Sequence, residues 1–301
     1  MRDLFLTKLA EAAEVTDKML DRLLTSEAER GEIYRPKLLV EAMRYAALSP
    51  GKRLRPLIVI ETARLFHRHD EGVVRAAAAV ECIHAYSLVH DDLPALDDDD
   101  VRRDRPTLHR QFGEATAILA GDALLTIAFD ILADPAVDRD PLVCAAMVGA
   151  LARAAGVGGM VGGQVLDIEG EGRTLTDAQI SRVQAMKTGA LFRFAAQAGA
   201  FLGHAAEEDR HRLLDFGSAF GRAFQIADDL IDVVASAEEA GKATGKDGAR
   251  GKATLVASHG VAEARTMLAL ATGEAVQMLD FFGPRANVLA EAARYLEIGT
   301  G

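Results

Sequence analysis

The chain has 301 residues, and its 45 Asp and Glu outnumber 34 Lys and Arg, giving a formal net charge of −11 and an isoelectric point near 5.2. That acidity excludes an ordinary nucleic-acid binder, which presents a basic face. A composition that is 50% apolar and 26% charged, with a mean hydropathy of +0.08, excludes a disordered chain and fits a soluble globular protein with a large core.

Alanine and leucine recur at helical spacing, while Val, Ile, Thr and the aromatic residues never cluster in short alternating runs, so the expected fold class is all-α. In chain order the spacing predicts helices over 2–29, 36–48, 54–68, 71–92, 110–132, 140–155, 176–186, 188–204, 207–234, 260–281 and 286–297. Breaks fall at Ser49-Pro50-Gly51, Arg105-Pro106, Asp134-Pro135, Glu169 to Gly172, Gly241 to Gly251 and Gly283-Pro284. None is a long Pro/Ser/Gly linker and no repeat stands out, so residues 1–301 are expected to form a single domain. The segments 71–90 and 115–132 are apolar on more than one face, which places them in the middle of a bundle. Gly156, Gly158, Gly159, Gly162 and Gly163 crowd one apolar stretch, serving either close helix packing or a break between helices, or else room for a ligand.

Cys82 and Cys144 stand alone in apolar surroundings and read as buried thiols in a reducing compartment. The charged N-terminus lacks the apolar stretch of a signal peptide. The run from Leu142 to Gly163 is interrupted by Arg153 and by glycines, which argues against a membrane span. The expected location is cytoplasmic.

Two acidic clusters carry the chemistry. Residues 91–100 hold six Asp directly after the apolar segment Ala76 to Val89, which is too apolar to be a solvated face. Carboxylates crowded next to a core repel one another unless cations neutralise them, and Mg²⁺ suits, because it takes oxygen ligands and shares them with substrate phosphates. The second cluster is Asp228, Asp229 and Asp232, with Asp228 and Asp232 four apart on one helical face between apolar neighbours. A plain surface stripe is the alternative for either one alone, and the presence of two weakens it.

Cations accompany the acids. Lys52, Arg53 and Arg55 follow the turn at Pro50-Gly51; Arg102 and Arg103 follow the first cluster; Lys242, Lys246 and Lys252 follow the second. Arg grips phosphate through two parallel bonds and Lys as a point charge, so the set suits a magnesium-bound diphosphate. Lys187-Thr188-Gly189, at a predicted helix start, adds an ammonium and a hydroxyl for the same anion. His84, two helical turns before Asp91, is either a satisfied core histidine or a contact in that site.

These residues also carry a family likeness. The segments Gly51-Lys52-Arg53-Leu54-Arg55-Pro56, Glu81 to Asp97, Arg102-Arg103, Gly162-Gly163-Gln164, Lys187-Thr188-Gly189 and Phe224 to Asp232 resemble, in order and spacing over roughly 35–260, the trans-isoprenyl diphosphate synthases of the polyprenyl synthetase family. The bacterial farnesyl diphosphate synthases are the most similar group within it. The resemblance implies an all-helical prenyltransferase fold of isoprenoid synthase type around a central cavity, with the two aspartate motifs facing each other across its mouth. It implies that Asp91, Asp92, Asp97, Asp228, Asp229 and Asp232 hold Mg²⁺, three ions per site with Mn²⁺ as a substitute, on an allylic diphosphate. Asp91, Asp92, Asp97, Lys187 and Asp228 would be the catalytic set. Arg102, Lys187, Thr188, Gln225, Lys242 and Lys252 would grip the allylic diphosphate, and Lys52, Arg55, His84 and Arg103 isopentenyl diphosphate. The loop from Gly241 to Gly251 would be a lid, and the enzyme a homodimer.

Tyr86 and Ser87 lie about one turn before Asp91. An aromatic residue there, with the two-residue insertion in the first motif, is similar to enzymes that stop at C15, so the expected product is farnesyl diphosphate. The alternative for Tyr86 is an ordinary buried tyrosine whose hydroxyl finds a partner. A geranylgeranyl diphosphate synthase, a non-catalytic partner subunit and an acidic metal-buffering protein are the rival functions; intact motifs weigh against the second, and the paired cations against the third. The chain departs from the family at Asp104, where glycine is usual, at Leu255-Val256, where Tyr-Pro is common, and at a C-terminus without a basic ending.

Overall fold

The structure is a computed structural model and describes residues 2–29, 31–239 and 254–298. Its helices are α1 (Arg2–Leu23), α2 (Lys37–Ala47), α3 (Leu54–Arg64), α4 (Glu71–Asp91), α5 (Leu108–Phe112), α6 (Glu114–Ala133), α7 (Pro141–Ala155), α8 (Met160–Gly170), α9 (Asp177–Gln184), α10 (Ala190–Leu202), α11 (Glu207–Glu239), α12 (Leu255–His259), α13 (Val261–Leu279) and α14 (Asn287–Ile298). The all-α expectation holds. The departures among the described residues are one hairpin of two-residue strands, β1 (Val101–Arg102) and β2 (Arg105–Pro106), a π-helical turn at Ala185–Gly189 and a 3₁₀ segment at Asp280–Ala286.

Contacts divide the chain into two compact units. The first gathers Thr7–Ile60 and His69–Val148. At its centre α4 packs on α6 and α2. The alanine run Ala76 to Ala79 is fully buried, as are Val80, Cys82 and Ile83, so the apolar stretch before the first acidic cluster is a core helix. Burial pushes the Cys82 thiol up to about 12, so it is an inert core residue. Helix α1 stops at Leu23, six residues earlier than the spacing predicts. Arg35 and Arg44 account for the stop: their guanidinium groups donate to the carbonyls of Leu23, Asp21 and Leu24, satisfying the helix C-terminus from outside.

The second unit gathers Glu61–Arg68 and the described residues of Met1–Leu6 and Gly149–Gly301. There α11 packs on α10 and α13, and Phe192, Phe220 and Phe224 form an aromatic cluster with ring centroids 5.1 and 4.9 Å apart. Of the crowded glycines, Gly156, Gly158 and Gly159 lie in the break between α7 and α8, while Gly162 and Gly163 lie inside α8 and serve close packing rather than a ligand: a Cβ on Gly163 would stand 2.3 Å from the Lys187 backbone nitrogen, and one on Gly162 would stand 2.9 Å from Met186 Cε.

By length and apolarity alone α4, α6 and the stretch Pro141–Gly170 reach the dimensions of a membrane span. Most of α4 is buried, whereas α6 exposes Ile118 and Leu119, and α8 exposes Val161, Val165 and Ile168.

Candidate active site

In the first unit, α4 ends in the first acidic cluster. Asp91 is its last residue, and the chain then folds back so that the Asp97 amide donates to the Asp91 carbonyl at 2.8 Å. Asp92 is almost fully buried and is gripped by Arg102 from β1, whose Nε reaches both carboxylate oxygens at 2.8 and 3.0 Å and whose Nη2 reaches Oδ1 at 2.6 Å. Burial raises the Asp92 pKa against the pull of Arg102, with Asp99 and Asp97 adding to the rise.

The hairpin that carries Arg102 turns through Arg103 and Asp104, both in the left-handed region with φ 51° and 61°. That is the two-residue turn matching strand twist, and it aims the Arg103 guanidinium at the Pro50 carbonyl. Gly51 makes room for it, since a Cβ there would lie 2.7 Å from Arg103 Nη1.

His84 and Arg103 line one small cleft in this unit with Arg102, Asp92 and Glu81. Lys52 and Arg55 do not line it, although Arg55 acts on His84 electrostatically. Burial first, and then Arg55, Arg103, Arg53 and Arg102, hold the His84 pKa well below the usual histidine value. Its ring is therefore neutral in a field that favours anions.

Arg53 differs from its neighbours Lys52 and Arg55. It is buried at φ 49° and donates to Asp17 at 2.9 Å, Glu81 at 2.6 Å and the carbonyls of Ala47 and Ser49 at 2.9 Å. It fixes the turn from which Lys52 projects.

Tyr86 is 4% exposed, and its hydroxyl has no hydrogen-bond partner among the described residues. An ordinary core tyrosine would have one. Burial, and then Asp91, push its pKa up to about 12. Ser87 donates to the His84 carbonyl at 2.9 Å.

In the second unit, α11 turns Asp228 and Asp232 to solvent and Asp229 inward. Asp229 accepts from Gln184 Nε2 and from Gln225 Nε2, each at 2.8 Å, and Gln225 Oε1 in turn accepts from the Thr188 hydroxyl at 2.6 Å. Lys187 and Thr188 sit in the π turn ahead of α10, a helical irregularity frequent at functional sites. Lys187 Nζ donates to Asp167 at 2.7 Å. Gly221 permits the close approach, because a Cβ there would lie 2.7 Å from Gly189 Cα.

Asp167 and Gln184 were not anticipated. Asp167 lies three residues after Gln164 on the face of α8 turned to Lys187, a helical signal that was available; Gln184 carries no motif. Lys242 and Lys252, and the lid assigned to Gly241 to Gly251, lie outside the described residues.

The model of the family described as "Polyprenyl synthetase" matches residues 36–298. The chain belongs to the polyprenyl synthetase family. It is 49% identical over 234 residues to the farnesyl diphosphate synthase of Escherichia coli (strain K12), covering 75% of this chain and 77% of that one. It is also 38% identical over 299 residues to the large subunit 1 of the heterodimeric geranylgeranyl pyrophosphate synthase of Arabidopsis thaliana, covering 97% and 78%. Among solved structures, an FPP/GFPP synthase from Zymomonas mobilis aligns with a TM-score of 0.87 at 40% identity, covering 99% of this chain and 100% of that one. The all-helical isoprenoid synthase fold follows.

The acidic motifs fit the family's metal chemistry. Their donors are carboxylate oxygens, the ligands of a hard cation. Among the described residues no three Asp, Glu, His or Cys side chains converge closely enough to cage an ion. An open set of carboxylates is compatible with Mg²⁺, which as a rule takes one or two carboxylates and completes its shell with substrate phosphates and water.

The departures from the family have defined places. Asp104 occupies a left-handed position that favours glycine. Leu255 and Val256 are buried at the start of α12, whose first turn is capped by the Thr254 side chain.

Proposed function

We propose that the chain is a trans-prenyltransferase that joins isopentenyl diphosphate to dimethylallyl and then geranyl diphosphate, releasing (2E,6E)-farnesyl diphosphate. The observation that carries the C15 product is Tyr86: a buried ring one turn behind Asp91, with a hydroxyl that bonds to nothing among the described residues. Such a ring serves as a wall.

Asp91, Asp92, Asp97, Asp228, Asp229 and Asp232 would hold Mg²⁺, three ions in all and replaceable by Mn²⁺, which when bound would supply stabilisation of the negative charge on the leaving diphosphate. The protein's own residues do the rest. Arg102, Lys187, Thr188 and Gln225, with Lys242 and Lys252, hold the allylic diphosphate while its C–O bond breaks and the electron pair leaves with oxygen. Lys52, Arg55, Arg103 and the neutral His84 hold isopentenyl diphosphate so that its double bond attacks the allylic carbon. A C–C bond forms, and a proton lost from the adjacent carbon, taken up by the departed diphosphate, restores the alkene. Water must be kept out while the cation lives.

The family match spans both compact units, which supports reading 1–301 as one polyprenyl synthetase domain. Two buried free thiols support a cytoplasmic location. The exposed apolar face of α6, with Ile118 and Leu119, supports a homodimer rather than a membrane span; sedimentation at micromolar concentration gives a mass of two chains if so.

A geranylgeranyl diphosphate product is the second reading, favoured by the likeness to the Arabidopsis relative. Incubation with Mg²⁺, isopentenyl diphosphate and dimethylallyl or geranyl diphosphate, with products resolved by chain length, decides between them. C15 is expected from the wild type and longer products from Tyr86→Ala; an unchanged product from that variant overturns the role given to Tyr86. Mg²⁺ with inorganic diphosphate should also stabilise the protein, by about 2.7 kcal/mol at a ligand concentration 100 times Kd.

A further inference from the structure

The position of the Tyr86 ring is not set by its own hydroxyl, which is buried without a partner among the described residues. It is set by packing, and the ring against it is His90, one turn further along α4, at a centroid distance of 5.7 Å and an interplanar angle of 81°. His90 is itself fastened to α6. Its Nε2 lies 3.1 Å from the Ile118 carbonyl, which can only accept, so Nε2 carries the proton and donates.

Gly121, on the same helix, leaves the space for the imidazole. A Cβ at Gly121 would stand 2.1 Å from His90 Nε2 and 2.4 Å from Cδ2, a contact that real Cβ atoms do not make. The imidazole thus fills the space that the missing Gly121 side chain leaves on α6.

We propose that His90 and Gly121 are positioning residues for Tyr86 and thereby determinants of product chain length. The inference rests on the reading that Tyr86 limits elongation. Two features favour it over a plain packing role. The brace reaches from α6 through His90 to the one ring assigned to product length, and that ring has no polar anchor of its own. An edge-to-face contact of this kind biases one ring position over another by about tenfold at most, which is enough to change a product ratio without altering the fold.

The test measures the C20 to C15 product ratio, which is independent of how much enzyme is active, for the wild type, Tyr86→Ala, His90→Ala and the double variant. The expected result is a rise in the ratio for Tyr86→Ala, a smaller rise of up to about tenfold for His90→Ala, and no further rise when His90→Ala is added to Tyr86→Ala, as coupling through one ring requires. If Tyr86→Ala lengthens the product and His90→Ala leaves the ratio unchanged, or if the two effects simply multiply, His90 does not act through Tyr86 and the proposal fails while the role of Tyr86 stands. If Tyr86→Ala leaves the product unchanged, the role of Tyr86 fails and the proposal with it. His90→Gln guards against a folding defect in the alanine variant: it keeps an N–H for Ile118 but has no ring, and is expected to raise the ratio as His90→Ala does.

Discussion

Asp92 and Arg102 form a forked ion pair in which one guanidinium meets both oxygens of a nearly buried carboxylate. The pair joins a residue assigned to metal with one assigned to diphosphate, so each holds the other in place before any ligand arrives. Arg102→Lys removes the fork but keeps the charge, and Arg102→Ala leaves the Asp92 carboxylate buried alone. The alanine variant is expected to lose about 1–3 kcal/mol of stability by urea unfolding and turnover by about 10²-fold, with the lysine variant between it and the wild type on both measures. Equal urea midpoints for all three proteins would show that the pair does not contribute to stability.

His84 gives the protein a pH dependence. In the unfolded chain it takes up a proton near pH 6.5, whereas in the folded chain burial and the surrounding guanidinium groups keep it neutral to well below that value. Below pH 6.5 the unfolded state therefore binds the extra proton. The contribution to stability is complete above that pH and is lost as pH falls toward the depressed folded value, at up to about 1.4 kcal/mol per pH unit. His84→Asn removes the titration. Denaturant midpoints of variant and wild type should converge between pH 7.5 and 5.5, and a gap that stays constant over that range contradicts the expectation.

Asp104 stands at φ 61° in an exposed turn. Glycine adopts that conformation without the Cβ contact, so Asp104→Gly is expected to stabilise the protein by about 0.5–1 kcal/mol. For a chain of this size the melting temperature would rise by about 1–1.5 °C, measured by calorimetry. A fall would indicate that the carboxylate earns its place by an interaction other than backbone geometry.

Gln184 acts on the second acidic motif from behind. Its amide nitrogen fixes one oxygen of Asp229. Gln184→Leu keeps the volume and loses the bond, and metal affinity is expected to drop about 10-fold. Mn²⁺ binding in the presence of inorganic diphosphate, followed by electron spin resonance, measures this apart from turnover; unchanged binding would leave Gln184 as packing alone.

Much of the site could be read along the chain. The acidic clusters, the arginines after the first of them and Lys187-Thr188 are contiguous in sequence, so pattern alone marks them. The partners that orient them are not contiguous. Asp92 meets Arg102 ten residues on, and Gln184 meets Asp229 at 45 residues' distance. Arg53 looked like one more phosphate cation beside Lys52 and Arg55, yet it is an internal ion pair with Glu81, 28 residues away. Helix α8 escaped the pattern because its glycines lower helix propensity, and only the backbone of Lys187 packed against Gly163 shows why they are there.

The sequence by itself determined that the chain is helical, that its acidity is concentrated in two motifs, and that those motifs have the oxygen chemistry of a magnesium and diphosphate site. Hydrophobic periodicity and residue type are local properties, and local properties are what a linear chain displays. Only the tertiary structure decided which Asp of the second motif turns inward, which arginine is structural, that Tyr86 lacks a hydroxyl partner among the described residues, and that a histidine wedged against a glycine of α6 stands behind it. Each of those depends on which atoms of distant segments come within a few ångströms, and packing, not sequence order, sets that.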